Sequence, residues 1–170
     1  MPVAEALRQT DITPVDEDYR HKPIQEGFDF DRIINDTEKI RGSLAGKALY
    51  LVVFRSKLNE SADEDYVAQL DAGAHEEALT SPELYAYFQG DRDENNEALS
   101  MCLWGDARAA FEAVHGENSV QHKKAADSAP ELYGENYDIE FYNLLLSVEG
   151  LIFVRHKHPQ IKKVEETHYA

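Results

Sequence analysis

Apolar and polar positions alternate along this chain with a period that changes several times, and each change marks an element. Ala48-Leu-Tyr-Leu-Val-Val-Phe54 is a β-rich run of strand length, apolar on both faces until Arg55 and Ser56, which predicts a core strand. Ser61-Ala-Asp-Glu64 spells a capping box, with Ser61 as N-cap and Glu64 three residues on. Val67, Leu70, Ala74 and Ala78 follow at helical spacing, so a helix is expected to about Thr80, with Pro82 ending it. Leu84-Tyr-Ala-Tyr-Phe88 and Ala98-Leu-Ser-Met-Cys-Leu-Trp104 read as two strands of a hairpin, joined by the polar loop Gly90 to Asn96.

Beyond Gly105 the period turns helical again. Ala107, Ala110, Phe111 and Val114 share one face behind Asp106 as N-cap, and Gly116 interrupts them. A second stripe holds His122, Ala125, Ala126, Ala129 and Tyr133, where Pro130 predicts an end or a bend. Tyr137 to Ser147 alternates as a fourth strand, and Leu151-Ile-Phe-Val154 predicts an added edge strand or dimer-clasping arm before a polar tail. The order β-α-β-β-α-β is the ferredoxin-like split βαβ unit of an α+β protein, with helices on one face of four antiparallel strands. The organisation expected is an arm over 1–46, the ferredoxin-like domain over 47–147 and an edge strand and tail over 148–170. Within the arm, Phe28, Phe30, Ile33 and Ile34 predict a short helix at Asp31 to Arg41 that docks on the domain. The second sheet face is as apolar as the first (Leu49 or Tyr50, Phe54, Met101 or Cys102, Phe141 or Tyr142), and homodimerisation through it is the expected cover.

Composition narrows the partners. The chain has 170 residues, and 17 Lys and Arg against 33 Asp and Glu give a net charge of −16, which disfavours nucleic acid and anionic lipid. Its single cysteine, Cys102, forms no internal disulfide, and the chain has no apolar run of about 20 residues, so a cytoplasmic setting is expected. No Gly-rich phosphate loop, G-x-S-x-G or H-E-x-x-H occurs.

The element order, with Leu99-Ser-Met-Cys-Leu-Trp104 before a helix, then His122 and a Tyr-rich fourth strand, resembles the dimeric α/β-barrel superfamily. That superfamily contains antibiotic-biosynthesis monooxygenases, EthD-type proteins, polyketide cyclases and small haem-degrading monooxygenases. Leu51 to Lys57, Leu70 to Ala78, Tyr87 to Gly90 and Leu103-Trp104 are similar to uncharacterised small microbial proteins of this type. The resemblance covers residues 47 to 147. It implies a homodimer with a ligand cavity between sheet and helices, and Trp104 and His122 match a strand-end Trp and a helix His near the ligand. The haem-degrading branch carries an Asn on the first strand beside an Arg. Here Arg55 is present and Phe54 stands where the Asn would be, which counts against haem, and no cofactor is expected. Oxygenases of the antibiotic branch need none, because an electron-rich phenolic substrate reduces O2 once its anion forms.

The candidate chemistry is acid-base. His122 sits among small alanines, as a base facing a cavity or as a core or interface histidine. Asp71 and His75, one turn apart, have the geometry of a carboxylate orienting an imidazole, or of a solvated pair worth about 0.2–0.5 kcal/mol, while Glu76 and Glu77 read as solvated charges. Tyr50, Tyr85, Tyr87, Tyr133, Tyr137 and Tyr142 supply hydroxyls to a pocket or simply core. Arg55 holds a substrate anion or pairs with an acid across a dimer. Cys102 reads as a buried inert thiol, and His156, His158 and His168 lack the partners of a metal site. The function expected is a cofactor-independent monooxygenase or cyclase acting on an aromatic or polyketide-like molecule, with His122, His75 and Asp71 as bases and Trp104, Arg55, Tyr87, Tyr142 and Tyr50 around the substrate. The alternatives are a non-catalytic small-ligand or stress-linked binding protein and, more weakly, haem binding through His122.

Overall fold

In the computed structural model, which describes residues 3–8 and 12–157, the apolar runs settle into one five-stranded antiparallel sheet. Its strands are β1 (Ala48–Lys57), β2 (Leu84–Gln89), β3 (Glu97–Trp104), β4 (Tyr137–Ser147) and β5 (Gly150–His156), in the order β2-β3-β1-β4-β5. Among the described residues six helices accompany them: α1 (Val3–Arg8), α2 (Ile24–Gly27), α3 (Phe30–Arg41), α4 (Glu64–Ala78), α5 (Ala107–His115) and α6 (Val120–Tyr133). β1, α4, β2, β3, α6 and β4 reproduce the ferredoxin-like unit; α5 is inserted after β3, and β5 extends the sheet beside β4.

Local chemistry moves some boundaries. The N-cap of α4 is Asp63 rather than Ser61, because the Asp63 carboxylate accepts the N–H groups of Asp65 and Tyr66, and the helix ends at Ala78. Asp106 caps α5 as expected, accepting from Ala109 N at 2.8 Å. Pro130 stands in the last turn of α6, which ends at Tyr133, close to where the proline predicts. A proline this close to a C-terminus removes a hydrogen bond only from the last turns, and Gly134, with φ 59°, closes the helix by donating to Pro130 O.

The two sheet faces are read off the β1 register. Tyr50, Val52, Phe54 and Ser56 face α4, α5 and α6, opposite Trp104, Cys102, Ser100 and Ala98 of β3. Leu49, Leu51, Val53 and Arg55 face the other way, and there the expectation of a partner's sheet is corrected. Tyr19, Ile24, Phe28, Phe30, Ile33 and Ile34 of the chain's own arm join Leu49, Leu51, Val53, Met101 and Leu103 in one buried cluster. The arm helix forms where it is expected, capped by Asp29, whose side chain accepts from Arg32 N. It buries in cis the face that a second subunit was expected to cover, which disposes of the apolar area that made association through that face favourable.

Polar side chains pin the arm. Arg55 donates through Nε to Glu140 Oε2 at 2.6 Å and through its two terminal nitrogens to the carbonyls of Arg20 and Lys22. Arg20 reaches Asp91 O at 2.7 Å, and His21 bridges Asp18 and Glu97. Gly90 lies under Tyr19, where a Cβ would stand 2.5 Å from the tyrosine hydroxyl and 3.0 Å from Leu99 O. The hairpin loop and the arm therefore need glycine at that position for backbone and ring to approach.

Candidate functional site

The clearest cavity under the helices lies between α4 and the β2–β3 corner, with a volume of about 560 Å³. Helical spacing aims Asp71 and His75 from one face of α4 into it, and strand alternation brings Tyr87 from β2 to the same side of the sheet. The imidazole of His75 stacks flat on the Tyr87 ring, with centroids 4.0 Å apart and planes 6° from parallel. Tyr87 donates its hydroxyl to Gln89 Oε1 at 3.1 Å, and burial holds that hydroxyl's pKa well above the ordinary phenol value. Leu58, Val67 and Ala68 supply apolar wall, while Asp91, Asp93 and Asn96 line the loop side.

Arg92 completes the floor. It leaves the 90–96 loop and turns inward, donating to Asn96 O at 3.0 Å and standing 3.4 Å from both Ser56 Oγ and the Tyr133 hydroxyl, with its guanidinium over the Tyr133 ring. Burial raises the pKa of Asp71, and the positive charge of Arg92 recovers only part of that shift. Among the described residues no hydrogen bond reaches the Asp71 carboxylate. A desolvated carboxyl with a cation nearby and no donor committed to it is a proton acceptor or donor in waiting. The hydroxyl of Tyr133 is raised for the same reason, burial first and the Asp71 charge second.

The other expected site residues lie elsewhere. Trp104 and Tyr50 share the helix-facing side with Tyr87, but each is only 2% exposed, in the cluster under α5 and the end of α4, so they are core at that level. Arg55 and Tyr142 point to the opposite face of the sheet. There the Tyr142 hydroxyl donates to Glu140 at 2.7 Å and its pKa is pushed up to about 12, mainly by burial. Burial also works against the Glu140 carboxylate, but hydrogen bonds from Arg55 and Tyr142 outweigh it and hold the pKa below the usual glutamate value. Arg55 thus pairs with an acid of its own chain, not across a dimer, and a wide cleft of about 890 Å³ opens beside it.

His122 starts α6, outside the Asp71 cavity, and its Nδ1 lies 3.0 Å from Glu77 Oε1. Glu77 is corrected from a solvated charge to a cap. It is 16% exposed and its carboxylate accepts from Gln121 N and His122 N as well, contacts that outweigh burial and lower its pKa. The carboxylate therefore fixes the imidazole with its Nδ1 proton toward Glu77. Cys102 is partly buried on the helix-facing side of β3, and burial pushes its thiol up to about 12.

His156 caps the end of β5, while His158 and His168 lie outside the described residues. A different trio, His21, Asp93 and Glu97, has ligand-type atoms within 4.8 Å of one another. Its members are already engaged: Asp93 accepts from Asn95 N and Glu97 N, and the His21 ring donates to the carboxylates of Asp18 and Glu97. Arg92 is the residue that sequence reasoning missed. It stands in a loop read only as a turn, and its single signal is a lone cation among Asp91, Asp93 and Glu94.

The chain is a ferredoxin-like α+β protein with a cavity between sheet and helices. Residues 2–155 match the model of the PB2B2.08-like family, and the chain belongs to that family. It is 28% identical over 142 residues to UPF0643 protein PB2B2.08 of Schizosaccharomyces pombe, a match covering 78% of this chain and 62% of that protein's length. Solved structures with a similar fold include NE2512, of unknown function, from Nitrosomonas europaea (16% identity, 59% of this chain and 92% of that one, TM-score 0.46). A dimeric ferredoxin-like protein of unknown function from Thermobifida fusca (16%, 60% and 97%, TM-score 0.46) and SnoaB, a cofactor-independent oxygenase from Streptomyces nogalater (17%, 66% and 98%, TM-score 0.44), are further examples. No helix among the described residues is long and apolar enough to cross a membrane.

Proposed function

We propose that the cavity between α4 and the β2–β3 corner takes a small aromatic or polyketide-like molecule and that Asp71, with His75 one turn on, removes a proton from it. The reading rests on one observation: Asp71, His75 and Tyr87, drawn from two elements, line one cavity in which the Asp71 carboxylate is desolvated and accepts no hydrogen bond from the described residues. A carboxylate freed from water and hydrogen-bond donors is a stronger base than one at the surface, and apolar wall with a stacked Tyr–His pair suits a flat ring. Arg92, about the Tyr133 ring and facing Asp71, offsets the charge that proton removal leaves on the substrate oxygen. With an electron-rich phenol the resulting anion reacts directly with O2; with a polyketide chain it closes a ring.

The test uses 1,8-dihydroxyanthrone, followed by O2 uptake and by fluorescence titration for binding. Asp71→Asn is expected to lower turnover by about 100-fold or more while leaving binding within a few fold, the size usual for a lost general base. The pH profile rises with the ionisation of a carboxyl whose pKa lies above the ordinary aspartate value. Binding without O2 uptake above the spontaneous rate supports the non-catalytic ligand-binding alternative. Absence of binding removes the cavity from consideration.

A further inference from the structure

The arm and the hairpin loop meet at a group of side chains that proton removal by Asp71 does not use. A ring nitrogen of His21 and one carboxylate oxygen each from Asp93 and Glu97 lie within 4.8 Å of one another. The chain carries 33 acidic residues and seven histidines. Even so, among the described residues no other three histidine, cysteine or carboxylate ligand atoms come this close together. His21 and Glu97 line the wide cleft beside Arg55, while Asp93 lines the loop side of the Asp71 cavity, so the trio borders both.

We propose that His21, Asp93 and Glu97 hold one divalent first-row transition-metal ion of the zinc type, and that the ion clips the arm to the hairpin loop. The proposal does not rest on proton abstraction at Asp71. The ion takes the place of the proton that His21 Nε2 shares with Glu97, and that proton leaves to water as the ion binds. One imidazole and two carboxylates form a donor set that zinc accepts at about 2.0–2.2 Å, with a water as fourth ligand. Two ligands of a tetrahedral ion at that distance stand about 3.4 Å apart. Side-chain rotation reaches this spacing easily, since the His21 ring is half exposed. The nitrogen donor selects against calcium and magnesium, which favour all-oxygen surroundings.

Groups outside the trio hold it as metal ligands are held. The other ring nitrogen of His21, Nδ1, donates to Asp18 Oδ1 at 2.8 Å. A carboxylate on the far nitrogen fixes the tautomer and ring orientation that present Nε2 to an ion. The backbone on either side of His21 is clamped by one residue, because Arg55 donates to Arg20 O at 2.9 Å and to Lys22 O at 2.8 Å. Asp93 accepts from Asn95 N and Glu97 N on a single oxygen, Oδ1, which sets the plane of its carboxylate. Glu97 opens β3 and is placed by its pairing with Lys57 of β1. Arm, loop and strand thus each contribute one ligand that is positioned before any ion arrives. Charge favours a cation too: Asp18, Asp93 and Glu97 surround one imidazole, and Arg20 beside them is committed to the Asp91 carbonyl at 2.7 Å. Because Asp93 follows Arg92, the ion also restrains the loop that carries Arg92 to Tyr133.

The measurement is calorimetric titration of the full chain, stripped of metal with EDTA and dialysed, with zinc chloride at about pH 7.5 and about 0.15 M salt. One zinc is expected to bind per chain, with a dissociation constant at or below about 10 µM. His21→Gln and Asp93→Asn each weaken it by about 100-fold or more, and Asp18→Ala, which removes no ligand, by about tenfold. Circular dichroism in EDTA checks that each variant folds, and Glu97→Gln replaces either one that does not. Zinc raises the melting temperature of the parent but not of His21→Gln, since the ion binds the folded chain. The triple variant His156→Gln/His158→Gln/His168→Gln keeps the parent affinity within about twofold. Absence of binding at about 100 µM zinc overturns the proposal. So does binding that ignores His21→Gln and Asp93→Asn, or binding that the triple variant abolishes, which puts the ion on other histidines. Displacement of zinc by about 1 mM calcium or magnesium also overturns it, because the group is then an unselective acidic patch.

Discussion

Replacing Arg55 by methionine keeps much of its volume and removes its charge, and the contacts around it set the size of the response. The guanidinium is 19% exposed and its partner Glu140 7%, so the ion pair is screened little by water. Arg55 also donates to two arm carbonyls, Arg20 O at 2.9 Å and Lys22 O at 2.8 Å. Losing one member of a buried pair costs about 3–5 kcal/mol, chiefly because the remaining charge is stranded. For a chain of this length that corresponds to a melting-temperature drop of about 6–20 °C. Urea unfolding at pH 7 measures the free energy, and Arg55→Met/Glu140→Leu is the control: with both charges gone it is expected to recover most of the loss. The pH dependence has a definite sign. The folded pKa of Glu140 lies below its unfolded value of 4.5, so the pair's contribution is complete above that value and is lost as pH falls through the folded pKa. The gap between parent and Arg55→Met should therefore narrow in acid. A cost below about 1 kcal/mol, a double variant no better than the single, or a gap that widens in acid would each refute this account of how the arm is held.

Two smaller tests probe other links. His21 has its pKa raised by the hydrogen bonds its ring donates to Asp18 and Glu97, so its pairing stabilises fully below the unfolded value of 6.5 and is lost as pH rises through the folded pKa. Thermal melts of parent and His21→Gln should differ in mild acid and converge in base; with half of the ring in water the difference is small, and equal curves at every pH would remove the latch. Asp106→Ala deprives the first turn of α5 of the bond to Ala109 N and should cost about 1 kcal/mol in denaturant unfolding, against no change if α5 needs no cap.

The sequence by itself determined the elements and their order. Strand and helix periods are local properties of the chain, and those of Ala48 to Phe54, Val67 to Ala78 and Tyr137 to Ser147 reappear as β1, α4 and β4. The spacing of Asp71 and His75 likewise placed both on one side of α4 before any packing was known, because four residues are about one helical turn. The arm helix was legible from Phe30, Ile33 and Ile34, but not its destination. Which sheet face those residues cover depends on competition between two apolar surfaces for the same partner, and an attached arm wins that competition in cis because its effective concentration is fixed by the short connection.

The site divides in the same way. Arg55 and Tyr87 looked equivalent as polar interruptions of apolar strands, yet the sheet turns one toward the arm and the other toward α4. Glu77 carried no signal of capping a helix 44 residues further on. Arg92 reaches Tyr133, and its charge acts on Asp71, through the path of the 90–96 loop, whose conformation no periodicity encodes. Tertiary structure alone decided these placements, because each is a meeting of side chains distant in sequence, and its energy comes from the burial and charge that the meeting creates.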